Sequence, residues 1–111
     1  CTKSQLEAIE EEMVNYYRSV YGDSIDTIIL YGSYARGDYS DDSDIDITAI
    51  VRGNRVELQK KLKKMWDFST EVGLAYDVIV SPTVIPYDEF EQYKEKLPYY
   101  RNIVKEGRKI G

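Results

Sequence analysis

The chain has 111 residues, 42% of them hydrophobic and 32% charged, and this predicts one globular domain with a single core. The net charge of −5 argues against a protein that coats nucleic acid, and no apolar run approaches the roughly 20 residues of a membrane helix. Histidine is absent, so acid–base and metal chemistry must fall to carboxylates, whose oxygen atoms suit Mg²⁺ or Ca²⁺.

The N-terminal part of the chain predicts an amphipathic helix over residues 4–21. Apolar residues recur there at helical spacing, and Ser4 with Glu7 matches a capping box. The acidic residues of this segment, Glu10 among them, are expected to form a solvated face. The single Cys1 cannot form an internal disulfide, which agrees with a reducing, cytoplasmic compartment.

Two apolar runs predict β-strands, the first from Ile25 to Tyr31 and the second from Ile45 to Val51. A polar segment rich in Gly, Ser and Asp separates them. Alternation in the second strand places one set of side chains on a polar face, which consists of Asp44, Asp46, Thr48 and Ile50. The intervening residues point the other way, into the core. One face of this strand is therefore expected to join the core, and the other to carry a candidate site at its start.

A second helix is predicted at about 54–72, with Asn54 as its N-cap. Its apolar stripe comprises Val56, Leu58, Leu62, Met65, Trp66 and Val72. Four lysines, Lys60, Lys61, Lys63 and Lys64, lie mainly off that stripe. They are expected to form a solvated basic face, and the alternative is contact with an acidic partner or nucleic acid.

The third strand is predicted from Leu74 to Val80, with Ser81-Pro82 ending it. Asp77 interrupts this apolar run, and a lone carboxylate inside a central strand is costly unless it is paired or binds a cation. Two short helices are predicted after the strand. The first starts at Pro86, and the second runs from Pro98 to near Gly107.

The alternating carboxylates predict a metal site. Asp44 and Asp46 share a strand face about 6.5 Å apart, so their carboxylates can converge on ions between them. Two Mg²⁺ ions about 3.5–4 Å apart would orient a triphosphate and activate an attacking hydroxyl. Asp77, on a neighbouring strand, would complete a cage of three carboxylates.

The turn after the first strand supplies what phosphate oxygens need. Gly32-Ser33 offers close backbone approach, N–H groups and a hydroxyl, and Arg36 offsets the charge of a polyphosphate. The plain alternative is a polar loop whose acids serve turns and caps. The joint pattern of strand, Gly-Ser, ten-residue gap and Asp-x-Asp at the start of the next strand disfavours that alternative.

Two other motifs fail on inspection. Residues 32–37 have the glycine spacing of a P-loop, but Asp38 stands where the phosphate-binding Lys must be. Residues 42–46 are similar to the start of an EF-hand loop. However, Ile47 replaces the glycine that the loop requires, and Gly53 replaces its bidentate Glu.

At these residues the sequence resembles the DNA-polymerase-β-like nucleotidyltransferases, and among them the minimal nucleotidyltransferase (MNT) group. Residues 32–46 match the Gly-Ser-x10-Asp-x-Asp signature of that family, and residues 32–37 match its extended bacterial form. The resemblance covers about residues 25–80. Residues 99–107 are more weakly similar to endings seen in the MNT group.

The resemblance implies an α/β fold, with a small mixed sheet backed by helices. It implies Mg²⁺-dependent transfer of a nucleoside monophosphate, AMP from ATP, to a hydroxyl as pyrophosphate leaves. Asp44 and Asp46 would bind both metals, and Asp77 would ligate the catalytic metal and help to deprotonate the acceptor. Gly32 and Ser33 would hold the terminal phosphates.

The acceptor is the open question. Larger family members carry an extra domain for it, whereas only residues 81–111 follow the predicted third strand here. Minimal members pair with a helical HEPN-type ribonuclease toxin and neutralise it by adding AMP to a tyrosine, so such a partner is the leading hypothesis. The alternatives are a small-molecule transferase acting as a homodimer and a non-catalytic module that blocks its partner by contact. The 11 tyrosines are expected to be core and interface aromatics, with some as candidates for self-modification.

Overall fold

A computed structural model describes residues 2–40 and 42–111, so Cys1, on which the disulfide expectation rests, and Asp41 lie outside the described residues. Helices and short strands alternate along the chain. Their bounds are α1 Lys3–Tyr21, β1 Ile25–Tyr31, α2 Ser33–Arg36, β2 Ile45–Val51, α3 Arg55–Tyr76, β3 Val80–Pro86, α4 Tyr87–Tyr93, α5 Pro98–Glu106 and β4 Arg108–Lys109, with a 3-10 turn at Gly22–Ser24. None of the helices in these ranges is long and apolar enough to cross a membrane.

The four strands form one mixed sheet in the order β3-β2-β1-β4. β1 runs antiparallel to β2 and β4, and β2 runs parallel to β3. This confirms the predicted fold class of a small mixed sheet with helices. The carboxyl end of β1 therefore meets the amino ends of β2 and β3, and this edge of the sheet is called the site end below.

One face of the sheet is closed by α1 and α3. The core-facing residues of β2 are those that the alternation predicts, namely Ile45, Ile47, Ala49 and Val51, and all are buried. From α1 the face receives Ile9, Met13 and Tyr17, each with no exposed surface. This face carries the larger of the two apolar clusters, and burial of these side chains provides most of the driving force for folding.

Two details of α1 differ from the sequence-based prediction. The helix begins one residue earlier, and its capping box is formed by Thr2 and Gln5 rather than by Ser4 and Glu7. Glu10 is buried instead of solvated, and it accepts a hydrogen bond of 2.8 Å from Arg108 of β4. The return of the chain end to the sheet creates that pairing, and helical periodicity alone could not predict it.

The apolar stripe of α3 is narrower than predicted. Its N-cap is Asn54, as expected, whose side chain accepts hydrogen bonds from two backbone N–H groups of the first turn. Leu58, Leu62, Met65 and Val72 are buried. Val56 and Trp66, however, are 62% and 44% exposed.

The predicted third strand from Leu74 to Val80 is wrong. α3 continues to Tyr76, because a short apolar run is compatible with the end of a helix as well as with a strand. Asp77 ends the helix in the left-handed conformation, with φ 55°. β3 starts only at Val80 and contains the Ser81-Pro82 pair that was expected to end it. Pro82 is tolerated because β3 is an edge strand of the sheet.

The second face of the sheet is only partly covered. α4 and α5, close to their predicted positions, pack a small apolar cluster against the strands; it consists of Ile50, Ile85, Phe90, Tyr100 and Ile103. Glu89 of α4 accepts hydrogen bonds from the Tyr100 hydroxyl and the Arg55 guanidinium, which fastens α4 to α5 and to the start of α3. This cluster lies toward the carboxyl ends of β2 and β3, so the site end stays open.

Candidate active site

The strand β1 delivers a glycine turn at the site end. Gly32 has φ 78° and ψ −157°, a region that is essentially restricted to glycine. Its carbonyl accepts hydrogen bonds of 3.1 Å from the N–H groups of both Ala35 and Arg36, and this starts the four-residue helix α2. The turn predicted from the sequence is therefore present, and it continues into a short helix that the sequence did not predict.

Gly32 lies directly against Asp46. A Cβ atom at position 32 would stand 2.6 Å from the Asp46 Oδ2 atom, too close for any side chain. The register of the sheet explains this approach, because Tyr31 is paired with Asp46. The glycine turn and the second carboxylate of the Asp-x-Asp motif thus form one continuous surface.

The two carboxylates of the motif lie close together where β2 begins, so that the charge of Asp44 acts on Asp46. Asp44 is exposed just before the strand, and Asp46 is half-buried within it. Burial raises the pKa of Asp46, the negative charge of Asp44 raises it further, and the positive charge of Arg36 opposes the shift. Two repelling carboxylates, one of them partly desolvated, are stabilised when a cation binds between them.

The donor set fits magnesium held together with a nucleotide. Mg²⁺ is bound by one or two carboxylates plus substrate phosphates rather than by a full protein cage. Asp44 and Asp46 meet that requirement. No group of three acidic, cysteine or histidine side chains suited to hold a metal exists among residues 2–40 and 42–111. The predicted cage of three carboxylates is therefore not formed there.

Asp77 is the carboxylate that the structure places elsewhere. It is exposed at the end of α3, on the wall of a groove of about 590 Å³ that Asp44 also lines. The β3 residues at the height of the motif are Ser81, paired with Asp46, and Thr83, paired with Thr48. The misplaced strand prediction had set Asp77 on this face.

Arg36 points along the rim of the site. Its guanidinium forms ion pairs of 3.3 Å with Asp38 and 3.2 Å with Glu106, the last residue of α5. Sequence reasoning identified Arg36 but not Glu106, because the pair joins residues that are 70 positions apart. Glu106 at the end of α5 thus forms an ion pair with Arg36, the last residue of α2.

Tyr31 lies at the site end of β1. It is paired with Asp46 of β2, and strand alternation places its side chain on the same face of the sheet as those of Asp46, Thr48 and Thr83. Its hydroxyl lies 2.9 Å from that of Tyr99 on α5. Burial is the main cause that raises the pKa of Tyr31 well above its ordinary value. The Thr48 hydroxyl on the same face is fully buried, with no hydrogen-bond partner among the described residues.

Comparison with known families and relatives is consistent with this geometry. The profile of the nucleotidyltransferase domain family matches residues 7–110. A protein of Methanocaldococcus jannaschii, provisionally named a protein adenylyltransferase, is 37% identical over 98 residues, which cover 88% of this chain and 90% of that protein. A second protein of the same organism and the same provisional name is 32% identical over 97 residues, 79% of this chain and 96% of its own length.

Solved structures share the fold at low sequence identity. A nucleotidyltransferase structure from Sulfolobus solfataricus, also provisionally named, superimposes with a TM-score of 0.57 at 21% identity and covers 96% of this chain and 82% of its own. A chain in a complex of tri-AMPylated Shewanella oneidensis HEPN toxin with MNT antitoxin gives a TM-score of 0.53 at 16% identity, with coverage of 94% and 70%.

Proposed function

Because the chain belongs to the nucleotidyltransferase domain family, we propose that it is a protein adenylyltransferase that moves AMP from ATP to a tyrosine hydroxyl of a helical, HEPN-type partner. The family relation supports nucleotidyl transfer. The names of the two M. jannaschii relatives support a protein acceptor, and the MNT–HEPN complex supports the nature of the partner.

The apposition of Gly32 and Asp46 is the observation that carries the proposal. A glycine turn accommodates phosphate oxygens through close backbone approach, and a carboxylate pair accommodates the cation that accompanies them. Here the Gly32 backbone and the Asp46 carboxylate are so close that a methyl group would not fit between them. Because they are direct neighbours, a single triphosphate can contact both residues at once.

Each residue has a defined task in the proposed reaction. Asp44 and Asp46 would hold Mg²⁺ with the triphosphate, Gly32 and Ser33 would hold its terminal phosphates, and Arg36 would offset their charge. Magnesium bound there would neutralise charge as pyrophosphate departs. The half-buried position of Asp46 excludes part of the solvent, which strengthens the electrostatic interactions at the site.

The open second face supports an acceptor that comes from outside the described site. The apolar cluster under α4 and α5 lies toward the distal half of the sheet, and Asp46 keeps part of its surface exposed. The acceptor hydroxyl must approach over that end to reach a phosphate held by Gly32 and Asp46. A helical partner that presents a tyrosine fits this approach.

The groove beside Asp44 favours a second candidate, a small-molecule acceptor. Its volume of about 590 Å³ is typical of a ligand pocket. Its walls include the exposed apolar side chains of Trp66, Leu74 and Ile79. In this second candidate function, a homodimer transfers the nucleotide to a small molecule bound in the groove.

The test measures nucleotide transfer on every species present. The protein is incubated with Mg²⁺ and each labelled nucleoside triphosphate, with and without the HEPN-type protein of its native host, and all masses are recorded. We expect one or more AMP additions on tyrosine of the partner. Asp44→Asn should abolish them, and Asp42→Asn, an exposed carboxylate outside the strand, serves as the matched control.

Two results would change the assignment. Tight nucleotide binding without any mass change would contradict the protein acceptor and favour the small-molecule candidate. No nucleotide binding by the wild-type protein would contradict the enzyme, and would leave a module that acts by contact.

A further inference from the structure

We infer that Tyr99 is an acceptor within this chain, so that the protein adenylylates itself at the start of α5. The inference rests on the proposed function, since the same site and the same ATP must supply the AMP.

The position of the Tyr99 hydroxyl is the first argument. It lies 2.9 Å from the hydroxyl of Tyr31. Tyr31 is paired with Asp46 across β1 and β2, and paired strands are about 4.8 Å apart, so the two side chains leave neighbouring positions of one face. Tyr99 thus places a nucleophilic oxygen over the same open face as Asp46.

The freedom of the side chain is the second argument. Tyr99 is 48% exposed, and its ring packs edge-on against Tyr31 and tilted against Tyr100, with centroid distances of 6.0 Å and 5.7 Å. Side chains occupy several staggered rotamers, and Tyr99 is not among the buried residues of the core. A change of rotamer that breaks these two ring contacts would free the phenol to approach a phosphate at Asp46.

Other tyrosines with assigned hydroxyl bonds are held in place. Tyr17 donates to the carbonyl of Thr83 on the opposite face of the sheet, Tyr21 donates to the carbonyl of Leu58, and Tyr100 donates to Glu89. All three are buried. Tyr31 is half-buried, and its ring forms the floor of the site rather than an exposed nucleophile.

The reaction balances with ATP as the only co-reactant. The phenolic oxygen of Tyr99 forms a bond to the α-phosphorus, and the bond from that phosphorus to the bridging oxygen breaks. Pyrophosphate leaves with the electron pair. The phenolic proton passes to solvent, and Tyr99 carries AMP as a phosphodiester.

The test uses the full chain with Mg²⁺ and ATP, intact-mass measurement and peptide mapping. We expect addition of a single AMP, which Tyr99→Phe abolishes. Tyr39→Phe is the matched control, because Tyr39 is 42% exposed, lies in the motif segment and keeps its ring stacking on Tyr34 as Phe. Unfolding curves of both variants should overlay that of the wild type.

The intramolecular nature of the step is tested separately. The rate of labelling per molecule should not change on tenfold dilution. In a mixture of Tyr99→Phe with Asp46→Asn protein, the Asp46→Asn chain should stay unlabelled. Labelling that rises with concentration, or that appears on the Asp46→Asn chain, would overturn a transfer within one chain.

A measurement without turnover supplies an independent readout. In protein with ¹³C-labelled tyrosine, the Tyr99 resonance should shift when a non-hydrolysable ATP analogue and Mg²⁺ are added, and the Tyr39 resonance should shift less. An unmoved Tyr99 resonance on saturation with the analogue would overturn the inference.

The failures of the two proposals are distinguishable. AMP on a partner tyrosine but none on Tyr99, or self-labelling only at another residue, overturns the Tyr99 inference and leaves the proposed function standing. Absence of nucleotide binding and of transfer to any acceptor overturns both.

Discussion

The two faces of the sheet differ in how completely they are covered. α1 and α3 close one face over the buried side chains of β1 and β2. On the other face, α4 and α5 cover the distal half with a small cluster that includes Ile50 and Ile85. Within the described part of the chain, only polar and aromatic contacts of α5, from Tyr99 and Glu106, reach the site end beside the Asp-x-Asp motif. The closed face has the composition of a core, and the open half carries charge and hydroxyl groups.

The difference separates stability from chemistry within a single strand. Neighbouring residues of β2 point alternately to the two faces, so Ile47 belongs to the core and Asp46 to the site. Changes on the closed face should lower the free energy of unfolding, and changes at the site end should alter nucleotide binding and transfer. The predictions below test that division.

The largest effect on stability is expected at the closed face. Ile47→Ala removes a side chain with no exposed surface and leaves a cavity, so it should lower the free energy of unfolding by about 2–5 kcal/mol. Denaturant titration measures the change. Val104→Ala, which shortens a side chain that is 56% exposed on α5, is the control and should cost less than about 0.5 kcal/mol. Equal costs in the two variants would contradict the assignment of the core.

Gly32→Ala should have a large effect on activity and a moderate one on stability. The added methyl group would meet the Asp46 carboxylate at 2.6 Å, and the backbone conformation is strained for alanine by about 1–3 kcal/mol. We expect AMP transfer to fall about 10²–10³-fold, as when a single charge-stabilising contact is lost. The decrease is measured as the ratio of the steady-state rates of AMP transfer of the wild-type protein and Gly32→Ala.

Gly37→Ala is the control for this variant. Gly37 is also left-handed, with φ 87°, but nothing lies within 4 Å of its added Cβ. It should lose about 1 kcal/mol of stability and retain transfer. If the two glycine variants behave alike, backbone strain alone explains the loss, and the contact of Gly32 with Asp46 is irrelevant.

A smaller effect is expected from the polar cluster at the distal end. Hydrogen bonds from Tyr100, and secondarily from Arg55, lower the pKa of Glu89 below its ordinary value of 4.5. Such a group stabilises the fold above the pKa it has in the unfolded chain, and the contribution disappears as the pH falls through the folded pKa. Glu89→Gln should cost about 1–2 kcal/mol at pH 7.

The difference between the wild-type protein and Glu89→Gln should shrink once the pH falls below about 4.5. Thermal unfolding of both proteins across this range checks the sign. Asp88→Asn is the control, because it changes a neighbouring exposed acid for which the structure shows no ion pair among the described residues. A cost that is constant with pH would contradict the role of the Glu89 charge.

The smallest effect is expected at the rim of the site. Glu106→Gln removes one of the two exposed ion pairs of Arg36, so stability should change by less than about 0.5 kcal/mol. Nucleotide affinity should rise slightly, since Arg36 then has one carboxylate fewer in competition with phosphate. Calorimetric titration measures the nucleotide affinity, and Glu95→Gln is the control for the loss of one surface carboxylate. Weaker binding in Glu106→Gln alone would show that Glu106 orients Arg36 instead of competing for it.

Local patterns predicted the elements that carry the site. β1 and β2 have the predicted bounds, and alternation correctly assigned Ile45, Ile47, Ala49 and Val51 to the core, because period two is a property of any strand. The contact between Gly32 and Asp46, in contrast, depends on the pairing register, which the sequence of neither strand reveals. The same holds for the contact between Tyr31 and Tyr99, which joins β1 to α5.

The errors have a common physical origin in tertiary contacts. The apolar run from Leu74 to Val80 is compatible with a helix end and with a strand. In the folded chain α3 packs against β3 and extends to Tyr76, so Asp77 lies outside the sheet. Glu10 is buried, and Glu106 reaches the site, only because the C-terminal residues return to the sheet. Local sequence propensities do not predict where the C-terminal residues contact the rest of the fold.

The measurement that tests the central claim most directly is calorimetric titration with Mg²⁺ and a non-hydrolysable ATP analogue, combined with unfolding of the same samples. For the wild type we predict saturable binding that requires Mg²⁺. In Asp46→Asn the affinity should fall about 10²-fold or more while the free energy of unfolding is unchanged or higher, because a partly desolvated charge is removed. Equal affinity in the two proteins would contradict the assignment of the site.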